Sequence, residues 1–118
     1  MSDSQSLQER LGRLQQLQQS LQIVVSEKQR LEMEFSETER ALSETKNLAD
    51  SSSIYKSIGS LLIRSDKATI TKELEEKKEL LSTRSSVLAR QEERAREKLK
   101  ELQQSIQEEL KTKGMPQA

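Results

Sequence analysis

The sequence predicts a mainly α-helical fold: an antiparallel two-helix coiled coil with a central β-hairpin that joins an oligomeric β-barrel hub. Three observations support this. About half of the 118 residues are Ala, Glu, Lys, Leu or Arg, the share that long helices show. Leucines recur at heptad spacing in two stretches. A short segment rich in residues that favour strands separates these stretches. The length fits one domain over residues 1–118.

The first helix is predicted over about residues 6–49. Ser6 is placed to cap the first amides, and Glu9, three residues later, completes a capping box. The helix should fade near residues 47–50. Its apolar positions follow two heptad lines, which need a second helix to cover them. One line is Leu7, Leu14, Leu21, Phe35, Leu42 and Ala49, and the other is Leu17, Val24 and Leu31.

The connecting segment is predicted to form a β-hairpin over about residues 54–64. Serines 51–53 interrupt the helix, and Gly59 with Ser60 forms a turn between two apolar runs. A looser connector with incidental apolar residues is the other interpretation. An isolated hairpin that is apolar on both faces is unstable in water and exposes open edges, so we expect sister hairpins to pair with it in a closed sheet or barrel. The candidate oligomerisation residues are Ile54, Tyr55, Ile58, Leu61, Leu62 and Ile63.

The second helix is predicted over about residues 69–113. Either Asp66 or Thr69 can cap it, and Gly114 with Pro116 can end it. Glu92 and Arg96 form a supportive pair four residues apart. The heptad register is left open in the first half of this helix, where polar side chains are frequent. Its regular apolar positions are Leu74, Leu81, Leu88, Ala95 and Leu102, joined near the end by Leu99, Ile106 and Leu110.

The composition argues against several classes of catalytic and metal site. The chain has no His and no Cys, so it lacks an imidazole base, a thiolate nucleophile, a disulfide and any metal site built from His or Cys. We therefore expect no enzyme and no cofactor. Twenty cations balance twenty anions, which indicates no nucleic-acid partner. The chain has no apolar run of membrane-spanning length and does not open with a leader-like segment, so we expect no membrane contact and a cytoplasmic protein. Balanced charge and regular leucines argue against complete disorder.

An antiparallel pairing brings the start of the first helix beside the end of the second. Both ends carry more apolar side chains than a narrow two-helix seam encloses, so some should stay partly exposed. Uncharged glutamines surround them, which gives adaptable hydrogen bonding at a low cost of desolvation. The other interpretation is that these side chains merely close the coiled coil. The residues of this apolar cluster are Leu7, Leu11, Leu14, Leu17, Leu99, Leu102, Ile106 and Leu110.

Two stretches resemble a known family. The hairpin run from Ile54 to Arg64, with Tyr55-Lys56-Ser57-Ile58-Gly59 at its start, and the stretch from Arg90 to Leu102 are similar to the prefoldin beta subunit of archaea. The resemblance covers nearly the whole chain. It implies a hexamer of alpha-type and sister beta subunits, built on a β-barrel platform with coiled-coil arms.

The resemblance also implies a function. Prefoldin-like subunits capture unfolded polypeptides, their clients, at the coiled-coil tips and deliver them to a group II chaperonin without nucleotide hydrolysis. The resemblance thus makes the apolar cluster at the helix ends the candidate client-binding residues, because a surface with adaptable hydrogen bonding suits a client of no fixed shape. The absence of a glycine-rich phosphate loop from the sequence agrees with this. Two alternatives remain: a passive coiled-coil scaffold or tether without chaperone activity, and an adaptor that binds one folded partner through its helical arm.

Overall fold

The computed structural model describes residues 3–112, which form two long helices joined by a β-hairpin. The elements in chain order are α1 (Asp3–Lys46), β1 (Ile54–Ile58), β2 (Leu61–Ser65) and α2 (Lys67–Thr112). The predicted mainly helical fold, with a hairpin between two long helices, is confirmed. The predicted stop signal after the second helix lies outside the described residues.

Contacts between residues divide the chain into two units. The terminal unit contains the described residues of Met1–Lys28 and Val87–Ala118. Within it, Arg10 of α1 bonds to Ser105, whereas the later Lys28 bonds to the earlier Glu92. The two helix segments of the terminal unit therefore run antiparallel.

The hairpin unit comprises Gln29–Ser86. Glu39 of α1 pairs with Lys78 at 3.5 Å, and Lys46 pairs with Glu75 at 3.7 Å. As α1 advances, its partners on α2 come from earlier positions. The helix segments of this unit are therefore also antiparallel.

The first turn of α1 differs from the predicted capping box. The helix already includes Asp3, so Ser6 lies inside it and does not cap it. The carbonyl oxygen of Ser6 accepts a hydrogen bond of 3.3 Å from Nε of Arg10. Helix α1 therefore begins three residues before the predicted start.

Side chains from the start of α2 stabilise both helix ends beside the hairpin. Nζ of Lys67 donates to the carbonyl oxygens of Lys46 at 3.1 Å and Leu48 at 2.8 Å, just where α1 ends and its carbonyls lose helical partners. Of the two predicted caps for α2, Asp66 is the one used. Its Oδ1 accepts a 2.8 Å hydrogen bond from the backbone N–H of Thr69, and this bond lowers the pKa of Asp66.

The two strands pair in antiparallel register through a two-residue turn. Ile58 lies opposite Leu61, so Gly59 and Ser60 are the central turn residues. Gly59 has a φ of 58°, a left-handed conformation that glycine adopts at low cost. A positive φ at the first central position is typical of the type II′ turns that match the twist of hairpins.

The core of the hairpin unit is narrow and partly polar. Leu31, Leu42 and Leu81 are its buried apolar side chains among the described residues. Thr38 and Thr45 are also buried and continue the heptad line of Leu31. Their hydroxyls each donate a 2.7 Å hydrogen bond to a carbonyl oxygen one turn earlier in α1. These bonds satisfy the hydroxyl groups, so threonine is tolerated at seam positions.

The structure corrects one heptad assignment in α1 and shows what one polar residue of α2 does at the seam. Ala49, assigned to a heptad line, lies beyond the end of α1 and is exposed, so that assignment is wrong. Helix α1 ends at Lys46, directly before residues 47–50, where it was predicted to fade, and ahead of serines 51–53. In the part of α2 whose register was open, Nζ of Lys78 lies 5.8 Å from the ring centre of Phe35. The Lys78 cation therefore packs on the face of the Phe35 ring, and a charged residue is tolerated next to the helix interface.

Candidate functional site

The hairpin presents an apolar surface that no part of the described chain covers. Five of the six predicted oligomerisation side chains are between 46% and 71% exposed, and Ile54 is half-buried. We call the five exposed side chains the hairpin surface; they are Tyr55, Ile58, Leu61, Leu62 and Ile63.

The hairpin surface extends over both faces of the sheet. Ile58 opposes Leu61 in the register, and Ser57 opposes Leu62. Directly opposed residues share a face, and successive residues alternate between faces. Leu61 and Ile63 therefore lie on one face and Leu62 on the other, as predicted. The sheet has two strands, so each strand keeps one edge unpaired within the described residues.

The hairpin is held against α2 by an ion pair. Nζ of Lys56 lies 2.9 Å from a carboxylate oxygen of Glu73. A groove of about 780 Å³ lies beside β1, and its lining includes Ile54, Leu74 and Leu80. The hairpin thus has a polar contact with the adjoining helix segment, while its apolar residues remain accessible.

The predicted client-binding residues gather in the terminal unit but differ in exposure. Leu11 is 46% exposed, which makes it the most accessible of the set. The half-buried members are Leu7, Leu14, Leu17, Leu99, Leu102 and Leu110. The predicted glutamines are all exposed around them: Gln15, Gln16, Gln18, Gln19, Gln103 and Gln104.

Ile106 departs from this pattern, because it is only 6% exposed. Its side chain packs in the interior of the terminal unit, so it is not accessible to a client in this structure. Heptad spacing does not distinguish it from the other apolar residues of the set. Ile106 is therefore a seam residue, and its assignment as a client-binding residue is not kept.

A polar cluster that the sequence analysis missed occupies the seam of the terminal unit. Nη1 of Arg10 donates a 2.8 Å hydrogen bond to Oγ of Ser105, and Nη2 forms an ion pair with Oε1 of Glu109. Both charged side chains are about one-fifth exposed. Arg10 stands seven residues before Leu17, and Glu109 seven after Leu102, so heptad spacing alone marks both as seam positions.

A second polar pair lies at the seam within the same unit. Nζ of Lys28 donates a 3.3 Å hydrogen bond to Oε1 of Glu92, and Nε of Arg96 donates one of 2.9 Å to Oε2. The predicted pair of Glu92 and Arg96 is therefore present. Both bonds lower the pKa of the Glu92 carboxyl, and the bond from Arg96 has the larger effect. Lys28 lies midway between Leu21 and Phe35 on a predicted heptad line.

Exposed apolar side chains also occur off the heptad lines. Ile23 and Val87 are 70% and 41% exposed in the terminal unit, and Met33 is 65% exposed in the hairpin unit. Heptad spacing does not mark them, because they lie off the seam. These residues are exposed apolar positions outside both predicted sites.

No metal site is apparent within residues 3–112, where no group of three or more acidic side chains is arranged to hold an ion. Neither helix, over the same residues, contains a stretch long and apolar enough to cross a membrane.

Comparison with known proteins identifies relatives over most of the chain. A sequence profile for the family described as "Prefoldin subunit" matches residues 8–113. The chain is 43% identical to prefoldin subunit beta of Thermococcus onnurineus and 41% identical to that of Pyrococcus furiosus. Each match extends over 105 residues, which are 89% of this chain and 90% of the relative.

Solved structures give the same result. The crystal structure of the prefoldin beta subunit from Thermococcus strain KS-1 matches with a TM-score of 0.82 and 42% identity, covering 89% of this chain and 92% of that one. The prefoldin beta2 subunit of the same strain matches with a TM-score of 0.69 over 77% of this chain and 97% of that one. At 24% identity, the second match supports the fold alone.

Proposed function

This chain belongs to the prefoldin subunit family of chaperones, and on that premise we propose that it is an ATP-independent cytoplasmic chaperone subunit. It captures unfolded polypeptides with its terminal unit and hands them to a group II chaperonin. The alpha-type partner and sister beta subunits assemble with it into a hexamer.

The observation that carries the capture step is the leucine cluster of the terminal unit. Leu11 is 46% exposed and the leucines around it are half-buried. Burying a leucine contributes about 1.5 to 3 kcal/mol before the cost of ordering the client, and partly exposed side chains contribute less. The neighbouring glutamines cost less to desolvate than charged side chains, so the surface tolerates varied client sequences.

Weak binding by the terminal unit of each subunit, here called an arm, suits a chaperone that holds a client only briefly. Several arms of one assembly raise the effective concentration of the next contact, so avidity can exceed the affinity of a single arm. Individual contacts still release rapidly, which permits transfer to a chaperonin. Neither step requires a catalytic residue or nucleotide.

Assembly is assigned to the hairpin surface. Leu62 is 71% exposed and Leu61 is 63% exposed, and each edge of the two-stranded sheet lacks a partner strand in the described chain. A closed sheet built with hairpins of other subunits would bury the side chains and pair the edges. The terminal unit is then left available for clients.

The proposal is tested with the assembled complex and several unrelated, chemically denatured proteins. Each is diluted into buffer with the complex or with a helical protein of equal mass, and light scattering records aggregation. A chaperone suppresses scattering of most clients without ATP. A passive scaffold suppresses none, and an adaptor for one folded partner shows no affinity for unfolded chains, so either result would replace the proposed function.

A further inference from the structure

A groove on the terminal unit combines an apolar floor with a cationic rim. It has a volume of about 560 Å³. Leu17 from α1 and Leu102 from α2, both half-buried, contribute its apolar side chains. Arg13 and Lys98 are exposed residues of its lining. We call this region the basic groove.

The charges of the basic groove are unequally compensated. Arg10 also lines it, but its guanidinium is committed to Ser105 and Glu109. Arg13 and Lys98, in contrast, form no ion pair with any carboxylate whose side chain the structure describes. The acidic lining residue is Glu101, so the cations that can bind a ligand outnumber the anion.

The surface of α1 carries little negative charge beside the groove. Glu9, one turn before Arg13, is exposed, but between Leu11 and Ser26 the one charged residue is Arg13 and the exposed neighbours are mostly glutamines. A carboxylate that approaches α1 between Arg13 and Ser26 therefore meets one cation and no anion on that stretch of the helix. A lysine or arginine in the same place would be repelled.

We propose that the basic groove binds segments of unfolded polypeptide in which Asp or Glu alternates with large apolar residues. The apolar residue of such a segment packs on Leu17 and Leu102. The neighbouring carboxylate pairs with Arg13 or Lys98, which lie at the rim. This inference rests on the proposed function, because it names the chemical class of client that the terminal unit prefers.

The test measures binding of labelled, unstructured peptides to the full chain by fluorescence anisotropy at low salt. Three peptides share the same leucines and carry aspartate, lysine or serine between them. Exposed ion pairs are weak, so the aspartate peptide should bind about three- to tenfold more tightly than the lysine peptide. Added salt should reduce this preference.

The variant R13Q/K98Q should bind the aspartate and lysine peptides equally. The control R94Q/K100Q makes the same charge change at exposed residues of the terminal unit outside the groove lining, and it should keep the preference. Equal binding of both peptides by the unaltered chain would overturn the inference. So would equal loss of preference in both variants, since overall charge would then be the cause.

Two other results separate this inference from the proposed function. If the serine peptide binds as well as the aspartate peptide, the inference fails while client capture stands. If aspartate peptides bind selectively but the complex suppresses no aggregation, the groove stands and the chaperone role fails. A lower sedimentation mass for R13Q/K98Q than for R94Q/K100Q would assign the groove to contacts between copies of the chain and overturn the inference.

Discussion

Arg10 and Glu109 face each other at seam positions of the terminal unit, where most equivalent positions of the coiled coil hold apolar side chains. The guanidinium bonds to one carboxylate oxygen, while Oε2 of Glu109 is buried and accepts no hydrogen bond from the described residues. Removing one partner from such a pair leaves a partly desolvated charge, whereas replacing both with apolar residues does not.

The first prediction follows from this pair. Glu109→Ala should lower the free energy of unfolding by about 1 to 2 kcal/mol, less than for a fully buried pair because both side chains are about one-fifth exposed. The double variant R10L/E109L should recover or exceed the original stability. Urea unfolding followed by circular dichroism measures both, and a double variant no more stable than Glu109→Ala would contradict the account.

The second prediction concerns assembly. Ile58→Asp with Ile63→Asp places two charges on the exposed hairpin surface, so the proposed hexamer with the alpha-type partner should dissociate while helical content largely survives. Sedimentation gives the mass and circular dichroism the helicity. Ile23→Asp with Met33→Asp is the matched control, because these residues are exposed apolar positions on α1 outside the hairpin. An intact hexamer in the hairpin variant would place the hub elsewhere.

The third prediction concerns pH. Hydrogen bonds from Arg96 and Lys28 lower the pKa of Glu92 below its ordinary value in the folded chain. The unfolded state then binds the proton more readily, so the carboxylate stabilises the fold above about pH 4.3 and loses this effect as pH falls through the lower, folded-state pKa.

Glu92→Gln should therefore lower the melting temperature at pH 6 and have a diminishing effect as the pH falls below about 4. Thermal unfolding across this range is the measurement. Glu93→Gln, at the exposed neighbouring residue, supplies the control for loss of one negative charge. If the difference in melting temperature between the unaltered chain and Glu92→Gln increased toward acidic pH, the prediction would be wrong.

The helices and the hairpin could be predicted from the sequence, because the residue patterns that mark them lie close together along the chain. Gly59 stands between two apolar runs, and its positive φ is the reason that position suits glycine. Leu31, Leu42 and Leu81 are buried at predicted heptad positions. These features depend on neighbouring residues and on the helical repeat.

Polar residues at the seam follow the helical repeat but lack the apolar character by which seam positions were selected. Thr38 and Lys28 both stand on heptad lines. The hydroxyl of Thr38 bonds to a carbonyl oxygen one turn earlier in its own helix, whereas the partner of Lys28, Glu92, is brought near only by the pairing of the two helices. Ile106 shows the converse. Its apolar character predicts that it is buried in a contact, but heptad spacing alone does not decide whether the contact is with a client or with the opposite helix.

The central claim is that leucines of the terminal unit hold unfolded clients, and the most direct measurement uses light scattering with matched hexamers. One hexamer carries Leu11→Ser and Leu99→Ser, and the other carries Ile23→Ser and Val87→Ser at exposed apolar residues of the same unit. With equal sedimentation mass, the first should lose most suppression of client aggregation and the second should keep it. Full suppression by the Leu11/Leu99 variant would contradict the claim.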